Sequence, residues 1–444
     1  MAINKITEKL SEKLNKNVPR YTSYPVITDW KGQDENTWLN SLKSTYALGV
    51  DIYIHIPFCE KLCYYCGCFR TVTKNKEKSR EYVHYLKKEW SLYLSKLPHL
   101  IKVNSIHFGG GTPSFLTPEQ LIDLLKVFDN YKAPKFYGSI ELDPRTVNED
   151  HLIVLREFGF KKASLGIQDF DPSVQKAINR EQSYELVKEK VDLIRKYGFD
   201  EVNFDLIWGL PKQSVKSVQD TFEKVNTLKP DRISFFSYAH LPERIKNQRL
   251  IKDSDILQGE AKLALFNSAQ TYLVKNDYIP IGMDHYAKRG SKLHLAYENK
   301  TLYRNFMGYV ENKSDILLGL GVSSISKNAK GFIQNIKSIK NYYEYIDAEH
   351  FPIEKGHSLS TEEAFRAEII QILFCKFMVL KTDIMDLKNG EEIVKSLKEY
   401  QKIGLIEETD KSFKVNEEGK KYIRVIASLF DQYRTDEGAF SKAI

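Results

Sequence analysis

Cysteine is scarce in this chain: there are five among 444 residues, four of them between Cys59 and Cys68 and the fifth at Cys375. A secreted disulfide framework uses an even, dispersed set, so this arrangement argues against one and for a reducing, cytoplasmic compartment. Long apolar runs are missing as well. None approaches the length of a membrane helix, and the polar, lysine-rich residues 1–17 contain no apolar signal-peptide core. Strong charge of one sign is also absent. The 66 basic and 59 acidic residues leave +7, scattered along the chain rather than gathered in a stripe, which argues against a nucleic-acid partner. What is present, 42% hydrophobic residues in 51.6 kDa, suffices for one large domain and a smaller one, each with a proper core.

The cysteine cluster is the densest signal. Cys59, Cys63 and Cys66 stand at i, i+4 and i+7, with Cys68 two residues on. Three thiolates at that spacing on a short loop can converge on one cuboidal iron-sulfur cluster and leave one iron open. Structural zinc is the alternative, but it prefers two separated ligand pairs, and no second Cys-x-x-Cys or His-x-x-x-His is present. A cramped zinc site or redox thiols using the four clustered cysteines stay open on spacing alone.

Between residues 50 and 240 short apolar or alternating runs at 51–57, 105–109, 138–142, 163–167, 201–207 and 232–238 alternate with helical patterns at 79–97, 118–131, 149–158, 184–197 and 218–228. Six strands alternating with helices predict a parallel sheet. One helix start is explicit: Thr117, Pro118 and Gln120 read as N-cap, N1 proline and capping-box glutamine. Ligands of parallel sheets sit beyond the carboxyl ends of the strands. The cysteine loop lies there, as do Gly109, Gly110, Gly111 and Thr112 after the second strand, Glu141 at the third, Gln168 after the fourth and Asp205 late in the fifth. The glycines allow close backbone approach to a ligand, and the carboxylates suit ribose hydroxyls or an ammonium group. From residue 358 helices at 360–377 and 391–403, an extended piece at 405–415 and a final helix through Tyr433 predict a small separate unit, with Cys375 buried in its first helix. Its extended piece resembles the wing of a winged helix, yet no dense basic face accompanies it.

With Cys59-x3-Cys63-x2-Cys66 followed by the Gly109 to Pro113 segment, the chain resembles the radical S-adenosylmethionine (SAM) superfamily. Further motifs narrow the likeness: Pro19-Arg20-Tyr21-Thr22-Ser23-Tyr24-Pro25, Tyr53-Ile54-His55-Ile56-Pro57-Phe58-Cys59, Cys68, Asn179-Arg180-Glu181-Gln182, Gly209-Leu210-Pro211-Lys212-Gln213, Tyr238-Ala239-His240-Leu241-Pro242 and Gly282-Met283-Asp284-His285. Together they resemble the oxygen-independent coproporphyrinogen III oxidases, in order from about residue 18 to the C-terminus.

That resemblance implies an α/β fold: a partial (β/α)6 barrel over 49–350, an N-terminal extension over 1–48 that contributes to the substrate site, and a mostly helical C-terminal domain over 351–444. It implies a cytoplasmic, monomeric oxidoreductase of porphyrin and haem synthesis. Such an enzyme takes coproporphyrinogen III as substrate and a low-potential electron donor such as flavodoxin or ferredoxin, with no membrane or nucleic-acid partner. Cys59, Cys63 and Cys66 would ligate a 4Fe-4S cluster and Cys68 would not. One SAM would meet Tyr53, Gly110, Glu141 and Ile325, and a second would meet Tyr65, Gly111, Thr112, Gln168, Arg180, Asp205 and Ala239. Tyr53, Glu141 and Arg20 are the expected catalytic residues, with Arg20 and Arg304 as partners for the four substrate carboxylates, because arginine forks match carboxylates. A haem chaperone or haem-degrading methyltransferase on the same scaffold is the competing expectation. A module with a merely structural cluster, contacting nucleic acid, is the remaining one.

Overall fold

The computed structural model describes residues 14, 16–45, 49–97, 101–434 and 440, so most of the lysine-rich stretch at 1–17 lies outside the described residues. The six expected strands are β1 (Val50–Ile56), β2 (Val103–Gly110), β3 (Lys132–Leu142), β4 (Phe160–Gln168), β5 (Glu201–Trp208) and β6 (Arg232–Ser237). Each pairs parallel with the next. Between them run α1 (Lys76–Lys96), α2 (Pro118–Leu125), α3 (Glu149–Phe158), α4 (Tyr184–Lys196) and α5 (Val215–Leu228).

Residue alternation explains the sidedness of this sheet. Ile52, Ile54 and Ile56 of β1, Ile106 and Phe108 of β2, Ile140 and Leu142 of β3 and Phe204 and Leu206 of β5 join the helices in one buried core. The intervening Tyr53, His55, His107, Glu141 and Asp205 line cavities on the opposite face. A period of two thus gives the sheet one apolar, helix-covered face and one polar, concave face.

The capping box forms as expected: Gln120 N donates to Thr117 Oγ1 at 3.3 Å, and Thr117 N donates to Gln120 Oε1 at 3.1 Å. The helix expected to run to Tyr131 changes to a tighter 3-10 turn over Lys126–Tyr131. More sheet exists than six strands. Leu317–Leu320 adds in parallel to the free edge of β1 and is followed by antiparallel Ile325–Asn328, Gly331–Asn335 and Ile353–Ser358. At the other edge His285–Lys288 and Tyr278–Ile281 extend β6, for twelve strands in all. These additions are four to six residues long, too short for a clear periodic signature. The two outermost strands are not neighbours, so the barrel stays open.

In the C-terminal part, helices Thr361–Lys376 and Gly390–Lys402 pack with a small antiparallel sheet of Met378–Leu380, Ile406–Glu408 and Ser412–Val415. The expected final helix is broken into Glu417–Lys420, Ile423–Ala427 and a 3-10 turn at Ser428–Phe430, because Tyr422 departs from helical geometry at φ −106° and ψ 15°. Val18, Tyr21, Tyr24 and Val26 join this unit's core beside Phe374, Ile426 and Phe430. The Tyr21 hydroxyl donates to Asp431 Oδ2 at 2.9 Å, and Arg424 donates to the carbonyls of Val18 and Pro19. Cys375 is buried on its helix, as expected. Among the described residues no helix is long and apolar enough to cross a membrane.

Candidate active site

Phe58 and Cys59, just beyond β1, pair with Thr71 and Val72 and so close the cysteine segment into a loop. Thr73 N donates to Cys59 O at 2.9 Å, fastening its base. Side chains from distant segments hold its backbone. Asn179 Nδ2 donates to Leu62 O at 2.8 Å, and Asn247 Nδ2 lies 3.2, 2.8 and 3.0 Å from the carbonyls of Cys63, Tyr64 and Cys66. Gln248, fully buried, donates from Nε2 to Tyr65 O at 3.0 Å and to Ala239 O at 3.1 Å. With its carbonyls occupied in this way, the loop turns Cys59, Cys63 and Cys66 into a cavity of about 560 Å³.

Donors surround the sulfurs. Thr112 Oγ1 is 3.4 Å from Cys59 Sγ, while Arg180 Nη1 and Arg145 Nη2 are 3.6 and 3.9 Å from Cys63 Sγ. The Cys68 thiol, donating to Cys66, lowers Cys66 to about 6 with help from Arg70, whereas burial raises Cys59 to about 11. Cationic and hydroxyl donors favour thiolates and are the partners that tune iron-sulfur ligands. Among the described residues no three His, Cys, Asp or Glu side chains converge tightly enough for a single ion. A cubane spreads its cysteines over separate irons, and three cysteines flanked by hydroxyl and guanidinium donors suit one. The three-cysteine loop fits the cluster.

A second cavity, about 750 Å³, adjoins the first. Tyr53, Gly110, Glu141 and Ile325 line it, while Tyr65, Gly111, Thr112, Gln168, Arg180 and Asp205 line the thiolate cavity. The residues expected around two SAM molecules therefore fall into two adjacent chambers. Cys68, Arg70, Gly110 and Glu141 border both. Ala239 lines neither and enters only through its carbonyl, held by Gln248.

The glycine turn makes this closeness possible. Gly110 has φ +114°, and a Cβ there would stand 2.7 Å from the His55 ring; one on Gly111 would stand 2.9 Å from the backbone of Pro57. Gly110 N donates to Glu141 Oε2 at 3.3 Å. His55, to which the sequence reading gave no role, organises the wall. Its Nε2 lies 3.1 Å from Phe69 O, which only accepts, so Nε2 carries the proton and Nδ1 accepts from the Tyr53 hydroxyl at 3.1 Å. Burial lowers His55 to about 4 and keeps the ring neutral.

Asp143 is a further residue without an expected role. Burial raises its carboxyl, but Arg180 and Arg145 outweigh that and hold it at about 2. Arg145 grips both oxygens, at 2.9 and 2.6 Å, and Arg180 Nη1 donates at 3.2 Å while also reaching Gly166 O through Nη2 at 2.6 Å. Arg180 is thus committed to the wall below Cys63. Asp205 accepts from Ser164 Oγ at 2.7 Å and Asn203 Nδ2 at 2.9 Å, and burial raises its pKa.

Arg20 and Arg304 line neither chamber. Arg20 stands 3.6 Å from Asp284, donates to Ser237 O at 3.1 Å and lies over Phe236, a residue of the thiolate cavity. Arg304 is buried and donates to Tyr21 O at 2.8 Å.

Residues 53–225 match the radical SAM superfamily. Over 98% of its length the chain is 37% identical to the oxygen-independent coproporphyrinogen III oxidase of Helicobacter pylori strain J99, covering 99% of that protein. It is 36% identical to the enzyme of the same name from Escherichia coli K12, over 96% of this chain and 94% of that one. A solved structure of coproporphyrinogen III oxidase from Escherichia coli, described as a radical SAM enzyme, superimposes with a TM-score of 0.89 at 34% identity, over 95% of this chain and all of the other.

Proposed function

We propose, on the premise that this chain belongs to the family of oxygen-independent coproporphyrinogen III oxidases, that it converts two propionates of coproporphyrinogen III to vinyl groups. Each propionate loses a hydrogen atom from its β-carbon, one electron and carbon dioxide, and the product is protoporphyrinogen IX. A 4Fe-4S cluster and two SAM molecules are the cofactors in this reading. When bound they supply a 5′-deoxyadenosyl radical able to abstract hydrogen from an unactivated carbon. A low-potential donor such as flavodoxin or ferredoxin supplies the electron that SAM cleavage would consume, the electron lost by each propionate passes to a separate one-electron acceptor, and the protein acts as a cytoplasmic monomer.

One observation carries the reading: a loop bearing three cysteines, with Cys68, Arg70, Gly110 and Glu141 forming the border between two adjacent chambers. Cys59, Cys63 and Cys66 would hold the cluster. Tyr53, Gly110, Glu141 and Ile325 would seat one SAM, and Tyr65, Gly111, Thr112, Gln168, Arg180 and Asp205 the other. Ala239 joins that second set by shaping the backbone beside Tyr65.

The chain's own contribution is positional. Neutral His55 orients the Tyr53 hydroxyl, Glu141 presents a carboxylate across both chambers, and the Gly110 turn brings backbone against whatever fills them. Phe69, Phe306 and Ile325 give the chamber an apolar wall beside Tyr53 and Glu141. Arg20, beside Phe236, is assigned to a carboxylate entering at that edge. In this reading residues 1–48 complete the substrate side, 49–350 form the catalytic barrel and 351–444 the helical cover.

The test is anaerobic reconstitution with iron and sulfide, followed by incubation with reductant, SAM and coproporphyrinogen III. Protoporphyrinogen IX with 5′-deoxyadenosine is expected. Deoxyadenosine without any vinyl product refutes the assignment.

A further inference from the structure

The turn after β3 carries more positive charge than its own carboxylate balances. Thr146 N donates to Asp143 O at 3.0 Å, closing a β-turn with Pro144 at its second position, and Arg145 N donates to Asp143 Oδ1 at 3.0 Å. This turn folds the Arg145 side chain back on Asp143, so that Nε and Nη2 take one carboxylate oxygen each, at 2.9 and 2.6 Å. Arg180 Nη1 shares the second oxygen, at 3.2 Å. Among the described residues neither guanidinium has another carboxylate within 4.0 Å. Two cations therefore meet one anion in a largely buried place, and one positive charge is left over. The acceptor beside both is Cys63 Sγ, 3.6 Å from Arg180 and 3.9 Å from Arg145.

A second observation points the same way. Arg145 Nη1 is buried and makes no hydrogen bond, and Arg145 lines the cavity into which the three cysteines turn. A buried, unpaired N–H on a cation that lacks a full counter-ion costs free energy unless an anionic group fills the space beside it. Arg180 already serves the second SAM set, and its Nε and Nη2 are spent on Gly166 O. Lys61 lines the same cavity, but it is exposed, where water and salt screen its charge.

From this we infer that Arg145 sets the reduction potential of the iron-sulfur centre held by Cys59, Cys63 and Cys66, its uncompensated charge favouring the reduced state. The inference rests on the cluster of the proposed function and goes beyond it by naming what makes that cluster reducible by a biological donor. A cubane on three thiolates is a net anion, and reduction adds one more negative charge. The donor is oxidised by one electron and the cluster reduced by the same electron, with no bond or proton changing at Arg145. A fixed cation in a shielded site stabilises the more negative state, and hydrogen bonds to the sulfurs act in the same direction. Asp143, in the same unit, carries the opposing charge.

The test is an anaerobic redox titration of the reconstituted full chain without SAM, followed by the electron paramagnetic resonance of the reduced cluster. Arg145→Gln should keep wild-type iron and sulfide, while its ratio of reduced to oxidised cluster at a fixed potential falls about tenfold, a midpoint about 59 mV more negative. Arg145→Lys, which keeps the charge, should stay within twofold of wild type, and so should Lys61→Gln. Asp143→Asn removes the counter-charge and should move the midpoint the other way, to more positive potential. General loosening of the loop does not produce opposite signs at neighbouring residues. If Arg145→Gln does not hold iron, Asp143→Asn decides alone: a positive shift upholds the inference, and no shift or a negative one overturns it. Unchanged midpoints, or equal shifts for the lysine and glutamine variants, in an enzyme that forms protoporphyrinogen IX overturn the inference and leave the proposed function standing. Shifts of opposite sign in a chain whose wild type forms no vinyl product uphold the role of Arg145 and overturn the proposed reaction.

Discussion

Arg180 and Asp143 form a buried ion pair, Nη1 to Oδ2 at 3.2 Å, and the same nitrogen lies 3.6 Å from Cys63 Sγ. One guanidinium therefore serves the wall and the cysteine loop together. Because the folded Asp143 carboxyl sits at about 2, below its ordinary 3.8, it contributes stability above pH 4 that is lost as pH falls toward 2. That contribution is about 2 kcal/mol at neutral pH. Thermal unfolding of wild type and Asp143→Asn between pH 2 and 6 should show the wild-type advantage shrinking below pH 4. A constant gap across that window would contradict the assignment.

Glu89 points the other way. Buried on α1, it accepts from Gly321 N at 2.7 Å, Tyr342 Oη at 2.7 Å and Asn335 Nδ2 at 2.6 Å, and burial raises it to about 7. A carboxyl raised in the folded state favours folding below its unfolded value, and that benefit fades as pH rises through 7. Glu89→Gln should flatten the decline in Tm between pH 4.5 and 8. Glu89→Ala strands three donors and should cost about 3 kcal/mol or more. It should also weaken SAM binding, measured by calorimetry, because Gly321 leads directly into the segment carrying Ile325.

At Gly110 the backbone lies in the left-handed region and a methyl group would meet the His55 ring. Gly110→Ala should destabilise by about 2 kcal/mol. Iron and sulfide content should stay at wild-type level while SAM affinity falls at least tenfold, since the change intrudes on the chamber and not on the cysteines. Loss of iron instead would place Gly110 in support of the loop.

The four clustered cysteines should separate in a substitution series. Cys63→Ser is expected to lose the absorbance and iron of the cluster and all deoxyadenosine formation. Cys68→Ser should keep the cluster, because Cys68 lies on the border of both chambers rather than within the three-ligand spacing. Equal iron content in both variants would reassign the ligands.

Much of this site was readable from residue order alone. The thiolate spacing, the glycine turn and the polar residues at successive strand ends are local patterns, and β-strand alternation places Tyr53, His55, Glu141 and Asp205 on one face. What escaped is non-local. Asn247 and Gln248 lie in a segment without periodicity, and their partners are more than 180 positions earlier. Glu89 looks like any solvated helical glutamate until the strands after residue 317 cover it. His55 sits in plain view, yet its role depends on a backbone carbonyl at Phe69 that no side-chain pattern encodes.

The contact between Tyr21 and Asp431 spans 410 positions. During synthesis at about 5–20 residues per second, the aromatic cluster at Tyr21 and Tyr24 waits tens of seconds for the helices that will enclose it. Until then those rings are exposed, sticky surface on a nascent chain. The later-made segment is accordingly the one that shields the earlier, and a ribosome stalled near residue 420 would hold a barrel whose Tyr21 cluster has nowhere to dock.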